Sequence, residues 1–150
     1  MTITRRQALA FGAGAAVVAV TGLPRVGLAD TDKVQAAIDA FSGGATPEQA
    51  MVSLTAPEIA ENGNTVPISV TVDSPMSDDD HVTDLTLLAA GNPSPGVATF
   101  HFTPMSGYAE ATTRMRLAQT QDVIALARTS TGKVYIDRKT VKVTIGGCGG

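Results

Sequence analysis

The segment TVPISVTVD, residues 65–73, alternates polar and apolar side chains without interruption. Because successive side chains of a β-strand point to opposite faces of a sheet, its four aliphatic residues would share one face. This pattern predicts a strand that buries one face and exposes the other. Pro67 indicates either a sheet edge or the beginning of the strand, because proline cannot donate a backbone hydrogen bond.

Further strands of this kind are predicted along the rest of the chain, separated by turns rich in glycine, proline, asparagine and aspartate. They cover residues 82–90, 97–103, 108–118, 123–128, 133–137 and 140–145. About seven short strands at regular spacing, with no helical period among them, predict an all-β fold of two packed antiparallel sheets, an immunoglobulin-like β-sandwich. The chain has no tryptophan and one cysteine, which excludes an antibody-type domain.

A short amphipathic helix is predicted ahead of the strands. Residues 30–32, DTD, supply capping and acidic side chains before Val34, Ile38 and Phe41, which fall on one helical face. The pair Gly43-Gly44 would end this helix. We expect it to lie on the sandwich.

The first 29 residues have the composition of an export signal. Arg5-Arg6 precede a weakly hydrophobic run, residues 8–20, that is too short for a transmembrane helix of about 20 residues. The arginine pair is typical of the twin-arginine route, which exports folded proteins. We therefore predict cleavage after Ala29, an uncleaved anchor being the alternative, and a periplasmic protein with no membrane segment. Residues 30–145 would then form one β-sandwich domain with its N-terminal helix.

The charge balance argues against a nucleic-acid partner. Residues 1–29 hold Arg5, Arg6 and Arg25 but no acidic residue, so their removal leaves eight of the 11 basic residues against all 14 acidic ones. Nucleic-acid binding would need a basic face. Seven of those eight basic residues lie between Arg114 and Lys142. They form either a solvated sheet face or a surface that receives an anion or a partner.

The segment GGCGG, residues 146–150, holds the only cysteine of the chain, Cys148. The predicted flexible arm around it consists of Gly146, Gly147, Gly149 and Gly150. Glycine resists both helix and strand, so such an arm would carry the thiol about 10 Å beyond Ile145. A single cysteine cannot form an internal disulfide, which leaves it for intermolecular or reactive chemistry.

No other group of residues predicts a catalytic, metal or cofactor site. His81 and His101 lie on different predicted elements without a ligand spacing, and residues 78–80, DDD, lack the spaced ligands of a calcium loop. A cysteine on a mobile tail has no base of its own chain to activate it, and no second cysteine to resolve a disulfide. The sequence therefore predicts a covalent carrier rather than an enzyme, with no cofactor and no metal.

Four internal segments accompany the terminal motif and the arginine pair. They are PEIAENG (57–63), VDSPM (72–76), FTPMSG (102–107) and TRMRLAQTQ (113–121). Together these features make residues 30–150 similar to the SoxY family, the sulfur carrier subunits of the bacterial sulfur-oxidation (Sox) system. The terminal motif with the signal is the specific part of this resemblance, and the internal segments are individually weaker.

The resemblance implies that sulfur intermediates are attached to Cys148 and that the neighbouring glycines form a swinging arm. It also implies a heterodimer with SoxZ, a second small β-sandwich protein that is exported together with its partner. Transient partners would be a c-type haem enzyme that conjugates thiosulfate to the thiol, a thiosulfohydrolase and a sulfane dehydrogenase. The alternative is an exported structural or interaction β-sandwich in which Cys148 forms an intermolecular disulfide.

Overall fold

The computed structural model of the protein describes residues 28–147. The described part begins with a helix, α1, Leu28–Ser42, and continues with strands. The strands are β1 Val52–Thr55, β2 Ile59–Asn62, β3 Val66–Val72, β4 Val82–Ala89, β5 Gly96–His101, β6 Ala109–Met115, β7 Gln121–Thr129 and β8 Val134–Ile145. A single 3₁₀ turn, Pro104–Ser106, precedes β6. Among the described residues, no helix is long and apolar enough to cross a membrane.

The strands form two sheets that enclose the main hydrophobic core. The smaller sheet has the order β1-β3-β6 and the larger one the order β2-β8-β7-β4-β5. The predicted all-β sandwich with an N-terminal helix is therefore confirmed. The pairing is antiparallel except between β2 and β8, which run parallel. The sequence prediction of antiparallel sheets is wrong for this pair, and β2 itself was not among the predicted strands.

Strand β3 has the alternation that its sequence predicts. Its four aliphatic residues are at most 5 % exposed, and Val70 is fully buried. The edge interpretation is wrong for most of the strand, because β3 lies between β1 and β6. Pairing with β1 extends only over residues 69–72, however, so at Pro67 the strand has one neighbour instead of two. Proline is tolerated there because the strand is just beginning.

Strand β7 is buried on both faces, which explains its nearly continuous apolar sequence. Val123, Ala125 and Ala127 belong to the core between the sheets. The alternate residues Ile124 and Leu126 point to the opposite face, where they pack in a second cluster with α1. Such double burial removes the polar–apolar alternation that a one-sided strand shows.

Helix α1 packs on the outer face of the larger sheet, as the sequence predicts. Val34 and Ile38 are buried in the second cluster, and Phe41 is partly buried beside them. Full burial of an aliphatic side chain of this size stabilises a fold by about 1.5–3 kcal/mol. The helix ends where predicted, because Gly43 takes a φ of 61° and donates a hydrogen bond to the carbonyl oxygen of Asp39.

Strand β8 corrects the prediction of two separate strands over residues 133–137 and 140–145. The two segments are one continuous strand whose first part pairs with β7. Its end, residues 142–145, also pairs with β2. The polar residues Arg138 and Lys139 do not form a turn; they lie in pairing with Ile124 and Val123 of β7. This long strand leads directly into the C-terminal glycines.

Candidate functional site

The predicted sulfur-binding residue and half of its arm lie outside the described residues. Cys148, Gly149 and Gly150 follow the last described residue, and the predicted signal peptide lies ahead of residue 28 except for its last two positions. The structure therefore bears on the candidate site through the root of the tail. That root is formed by Gly146 and Gly147, directly after β8.

The tail leaves the sandwich where β2 and β8 run side by side. Ile59, Ala60 and Asn62 pair with Lys142, Val143 and Ile145. Gly63 continues this pairing beyond β2, because its backbone N–H donates to the carbonyl oxygen of Ile145 at 2.7 Å. The parallel ladder thus extends to the last residue before the glycines.

The root of the tail is held by a group of backbone contacts that we call the glycine clasp, formed by Gly63, Leu117, Ala118, Gly146 and Gly147. The N–H of Gly147 donates to the carbonyl oxygen of Leu117 at 2.9 Å. The N–H of Leu117 in turn donates to the carbonyl oxygen of Gly63 at 2.8 Å. Gly147 is buried, whereas Gly146 is exposed.

The close approach in the clasp leaves no room for side chains. A Cβ on Gly147 would lie 2.7 Å from the carbonyl oxygen of Gly63, and a Cβ on Gly146 would collide with that of Ala118. A Cβ on Gly63 would collide with the carbonyl oxygen of Leu117. Real Cβ atoms do not approach backbone atoms this closely, so the clasp requires three glycines for reasons of space.

A buried amide pair fixes the loop that supplies the clasp with Leu117. Asn92, 4 % exposed, donates from Nδ2 to the carbonyl oxygen of Arg116 at 2.8 Å and accepts from the N–H of Ala118 at 3.0 Å. Its Oδ1 also accepts from Nε2 of Gln121, which is itself buried. Asn92 therefore holds the backbone on both sides of Leu117, and the side chain of Leu117 is fully buried in the core.

Three of the basic residues between Arg114 and Lys142 lie close to the clasp in the sequence. Arg114, Arg116 and Lys142 are all exposed. Arg116 directly precedes Leu117, so a positive charge lies on the chain next to the clasp. The two alternatives for this charge, a surface that receives an anion and a solvated sheet face, stay predictions.

The histidines lie away from the clasp and serve other contacts. Nδ1 of His81 is 3.0 Å from the carbonyl oxygen of Ser77. His101 is exposed, with its Nδ1 2.6 Å from Oδ1 of Asp84. Among residues 28–147, no group of three or more His, Cys, Asp or Glu side chains is placed to hold a metal ion.

Asp84 is the centre of a polar cluster on the larger sheet. Partial burial by itself raises the pKa of this carboxyl group, but hydrogen bonds from Arg128, Thr83 and His101 outweigh it, and its pKa is lowered. Arg128 donates to Oδ2 from both Nε and Nη2, at 3.1 and 2.7 Å. The same guanidinium lies over the ring of Phe41 and donates to its carbonyl oxygen, so the cluster connects α1 to the sheet.

Replacement of Asp84 by asparagine is expected to lower the free energy of unfolding by about 1–2 kcal/mol at pH 7, after allowance for the half-exposed Arg128. Because the pKa in the folded state is lowered, this stabilisation is present above the unfolded pKa of about 3.9 and is lost as the pH falls through the folded pKa. Denaturation of Asp84→Asn and the unmodified protein at pH 7 and pH 3 measures this difference. A difference that is equal at both pH values would contradict the assignment.

Comparisons with known proteins find a family that matches the sequence and solved structures that match the fold. The family model "Sulfur oxidation protein SoxY" matches residues 38–148. The solved structure of the sulfur carrier protein SoxY from Chlorobium limicola f thiosulfatophilum matches with a TM-score of 0.63 and 35 % sequence identity, covering 77 % of this chain and 99 % of that one. Among curated proteins, no sequence matches the chain.

The fold also occurs in a different class of protein. A variant of the superoxide reductase (neelaredoxin) from Ignicoccus hospitalis matches with a TM-score of 0.55 and 21 % identity, covering 64 % of this chain and 82 % of that one. At this identity the match shows a shared β-sandwich and nothing about chemistry.

Proposed function

Because the chain belongs to the SoxY family of sulfur oxidation proteins, we propose that it is a periplasmic carrier that binds sulfur intermediates covalently on Cys148 and presents them to partner enzymes. SoxY is a sulfur carrier and not a catalyst, so the prediction that the chain is not an enzyme is confirmed at the level of its family. The observation that carries the proposal is the match of the family over residues 38–148, which includes the only cysteine of the chain.

The chemistry of loading follows from what one thiol can do. To join Cys148 to thiosulfate, a sulfur–sulfur bond must form while the thiol loses its proton and an electron pair leaves. An oxidant must accept these two electrons, and in the proposed function a c-type haem enzyme takes them. Hydrolysis by a thiosulfohydrolase would then release sulfate and leave a persulfide on the cysteine, which a sulfane dehydrogenase would oxidise further.

The position of the tail suits a carrier whose chemical steps are performed by partner enzymes. Strand β8 brings the tail to one end of the sandwich, where Arg116 places a positive charge next to Leu117. Thiosulfate and sulfate are anions, and a cation near the tail would favour their approach. The glycines on both sides of Cys148 place no side chain next to the thiol, so its approach to a partner's active site is not hindered.

A permanent partner resembling SoxZ would cover apolar surface that the sandwich leaves exposed. Met105 is 96 % exposed and Tyr108 is 82 % exposed, and both lie in the turn before β6. Aromatic and methionine side chains are enriched in protein interfaces. The predicted twin-arginine signal fits the same assembly, because a folded heterodimer could leave the cytoplasm on one signal.

The covalent state of Cys148 tests the carrier against the structural alternative. Protein is isolated from thiosulfate-grown cells with free thiols blocked by an alkylating reagent, and is then run on denaturing gels with and without reductant. If the protein is a carrier, it is expected to run as a single chain on both gels. Its cysteine would become accessible to the alkylating reagent only after reduction, because the thiol bears sulfur. A covalent dimer that reductant separates, with no small adduct, would overturn the carrier in favour of an intermolecular disulfide.

A further inference from the structure

We propose that the glycine clasp fixes the base of the carrier arm at Gly147, so that Gly63 and Gly147 are positioning residues for Cys148. This inference rests on the proposed function only in taking Cys148 as the residue that is presented. The first two glycines of the predicted arm then serve close packing, and the clasp holds the tail as far as Gly147. The arm predicted from the sequence began at Gly146 instead.

The first argument is the continuity of the backbone hydrogen bonds. Gly63 uses both of its backbone groups, donating to Ile145 and accepting from Leu117. Leu117 also uses both, because its carbonyl oxygen accepts from Gly147. The tail is therefore bonded before and after Gly146. In a freely moving segment the backbone N–H and C=O groups would be hydrogen-bonded to water instead of to other backbone groups.

The second argument is the reason for glycine at these positions. Gly43, Gly44, Gly107 and Gly132 have positive φ values, and at none of them would a Cβ meet a described atom within 4 Å. Those glycines serve the backbone conformation of turns. Gly63, Gly146 and Gly147 show the opposite combination, with φ values outside the left-handed region and backbone atoms too close for a Cβ. Glycine in the clasp thus permits contact between chain segments.

The third argument is the rigidity of the acceptor. The carbonyl oxygen of Leu117 lies between two backbone groups that Asn92 holds, those of Arg116 and Ala118. Asn92 is buried and is hydrogen-bonded to Gln121, whose Oε1 accepts from the N–H of Gly91 at 2.7 Å. A buried, fully satisfied polar network rigidifies the backbone around it. The tail is bonded to an anchored loop.

An anchored base changes how the thiol is presented. With Ile145 as the base, about 10 Å of free chain would carry the cysteine. With Gly147 as the base, one Cα–Cα step of about 3.8 Å separates the cysteine from a fixed point. Partner enzymes would therefore dock around the clasp, close to Gly63 and Ala118. They would not bind the thiol at a position far from the sandwich.

Hydrogen exchange tests the clasp in the unmodified protein. The amide proton of Gly147 is expected to exchange about 10-fold more slowly than that of Gly149, because one is buried and hydrogen-bonded and the other follows the fixed base. Two-dimensional NMR of the isotopically labelled protein resolves both glycines. Exchange of Gly147 at the rate of Gly149 would overturn the proposal.

A spin label on Cys148 tests the positioning role directly. The chain has one cysteine, so a nitroxide reagent labels a single site. In Gly147→Ala the new Cβ is expected to open the clasp and give a more mobile spectrum than in the unmodified protein, whereas the matched variant Gly149→Ala is expected to keep the original one. Equal spectra for all three proteins would overturn the proposal, provided that circular dichroism shows the same fold.

The two proposals fail separately. The label and the exchange rates report the position of the tail whether or not Cys148 ever carries sulfur. A finding that the cysteine bears no sulfur would overturn the carrier and leave protection of the Gly147 amide unchanged. A mobile Gly147 would overturn the clasp and leave the loading of the thiol unchanged.

Discussion

Replacement of Cys148 by serine is expected to abolish thiosulfate-dependent turnover in a reconstituted system of carrier and partner enzymes. A serine hydroxyl cannot form the sulfur–sulfur bond that holds the cargo, and the chain has no other cysteine to replace it. The effect would be complete because the attachment step is lost, not slowed. The rate of electron release from thiosulfate measures it.

The same variant is expected to fold and to pair with its partner normally. The two hydrophobic clusters, one between the sheets and one under α1, consist of residues that the substitution leaves unchanged. Thermal unfolding and co-purification with the partner subunit provide the controls. Turnover by a correctly folded Cys148→Ser protein would contradict the carrier assignment.

Replacement of Gly63 by alanine is expected to lower the free energy of unfolding by about 1–3 kcal/mol, the range for overpacked interiors. The added Cβ would collide with the carbonyl oxygen of Leu117 and lie 2.7 Å from the backbone nitrogen of Gly147 and 2.9 Å from Cγ1 of Val143. These are mostly backbone atoms, so the strain is relieved only if β2, β8 or the loop shifts. Chemical denaturation measures the difference.

The sign of this effect separates packing from backbone freedom. At a position where alanine fits, a glycine-to-alanine change stabilises a protein by about 0.4–1 kcal/mol by restricting the unfolded chain. Gly96 on β5 is the matched control, because a Cβ there meets no described atom within 4 Å and its φ is not in the left-handed region. Gly96→Ala is therefore expected to be neutral or stabilising. Equal stability changes in both variants would contradict the clasp geometry.

The sandwich was predictable where one face of an element is buried. Alternation identified β3, and the helical period of Val34 and Ile38 identified α1, because each element meets the core on one side. The prediction was wrong for two strands in which exposed residues interrupt this pattern. Strand β2 shows the burial pattern of a short, mostly exposed edge, with Ala60 as its one buried residue. Strand β8 was divided because its exposed residues 138–140 resemble a turn.

The clasp could not be predicted because it depends on distance in space. Gly63 and Gly147 are far apart in the sequence, and they meet only because β2 runs parallel to β8. Nothing local distinguishes a glycine that permits close contact from one that permits a turn. The sequence signal that existed was Gly63 within the segment ENGN, which resembles a turn but has no positive φ at its glycine.

Cys148 could be proposed as the carrier residue from the sequence alone. Its identification needs no neighbour, since Cys148 is the only cysteine and lies among four glycines. In the proposed function the chemistry belongs to partner proteins, so no constellation of acid, base and nucleophile has to be found within the chain. The histidines and acidic residues that compete with it form structural contacts, such as the cluster of Asp84 with Arg128.

The most direct measurement is the mass of the C-terminal peptide after exposure to thiosulfate and the partner enzymes. Trypsin cleaves after Lys142 and releases residues 143–150, which contain Cys148. A carrier would show this peptide with the added mass of one sulfur atom and one sulfonate group, and after hydrolysis with that of one sulfur atom, both removed by reductant. A peptide that remains an unmodified or dimerised thiol throughout turnover would contradict the account.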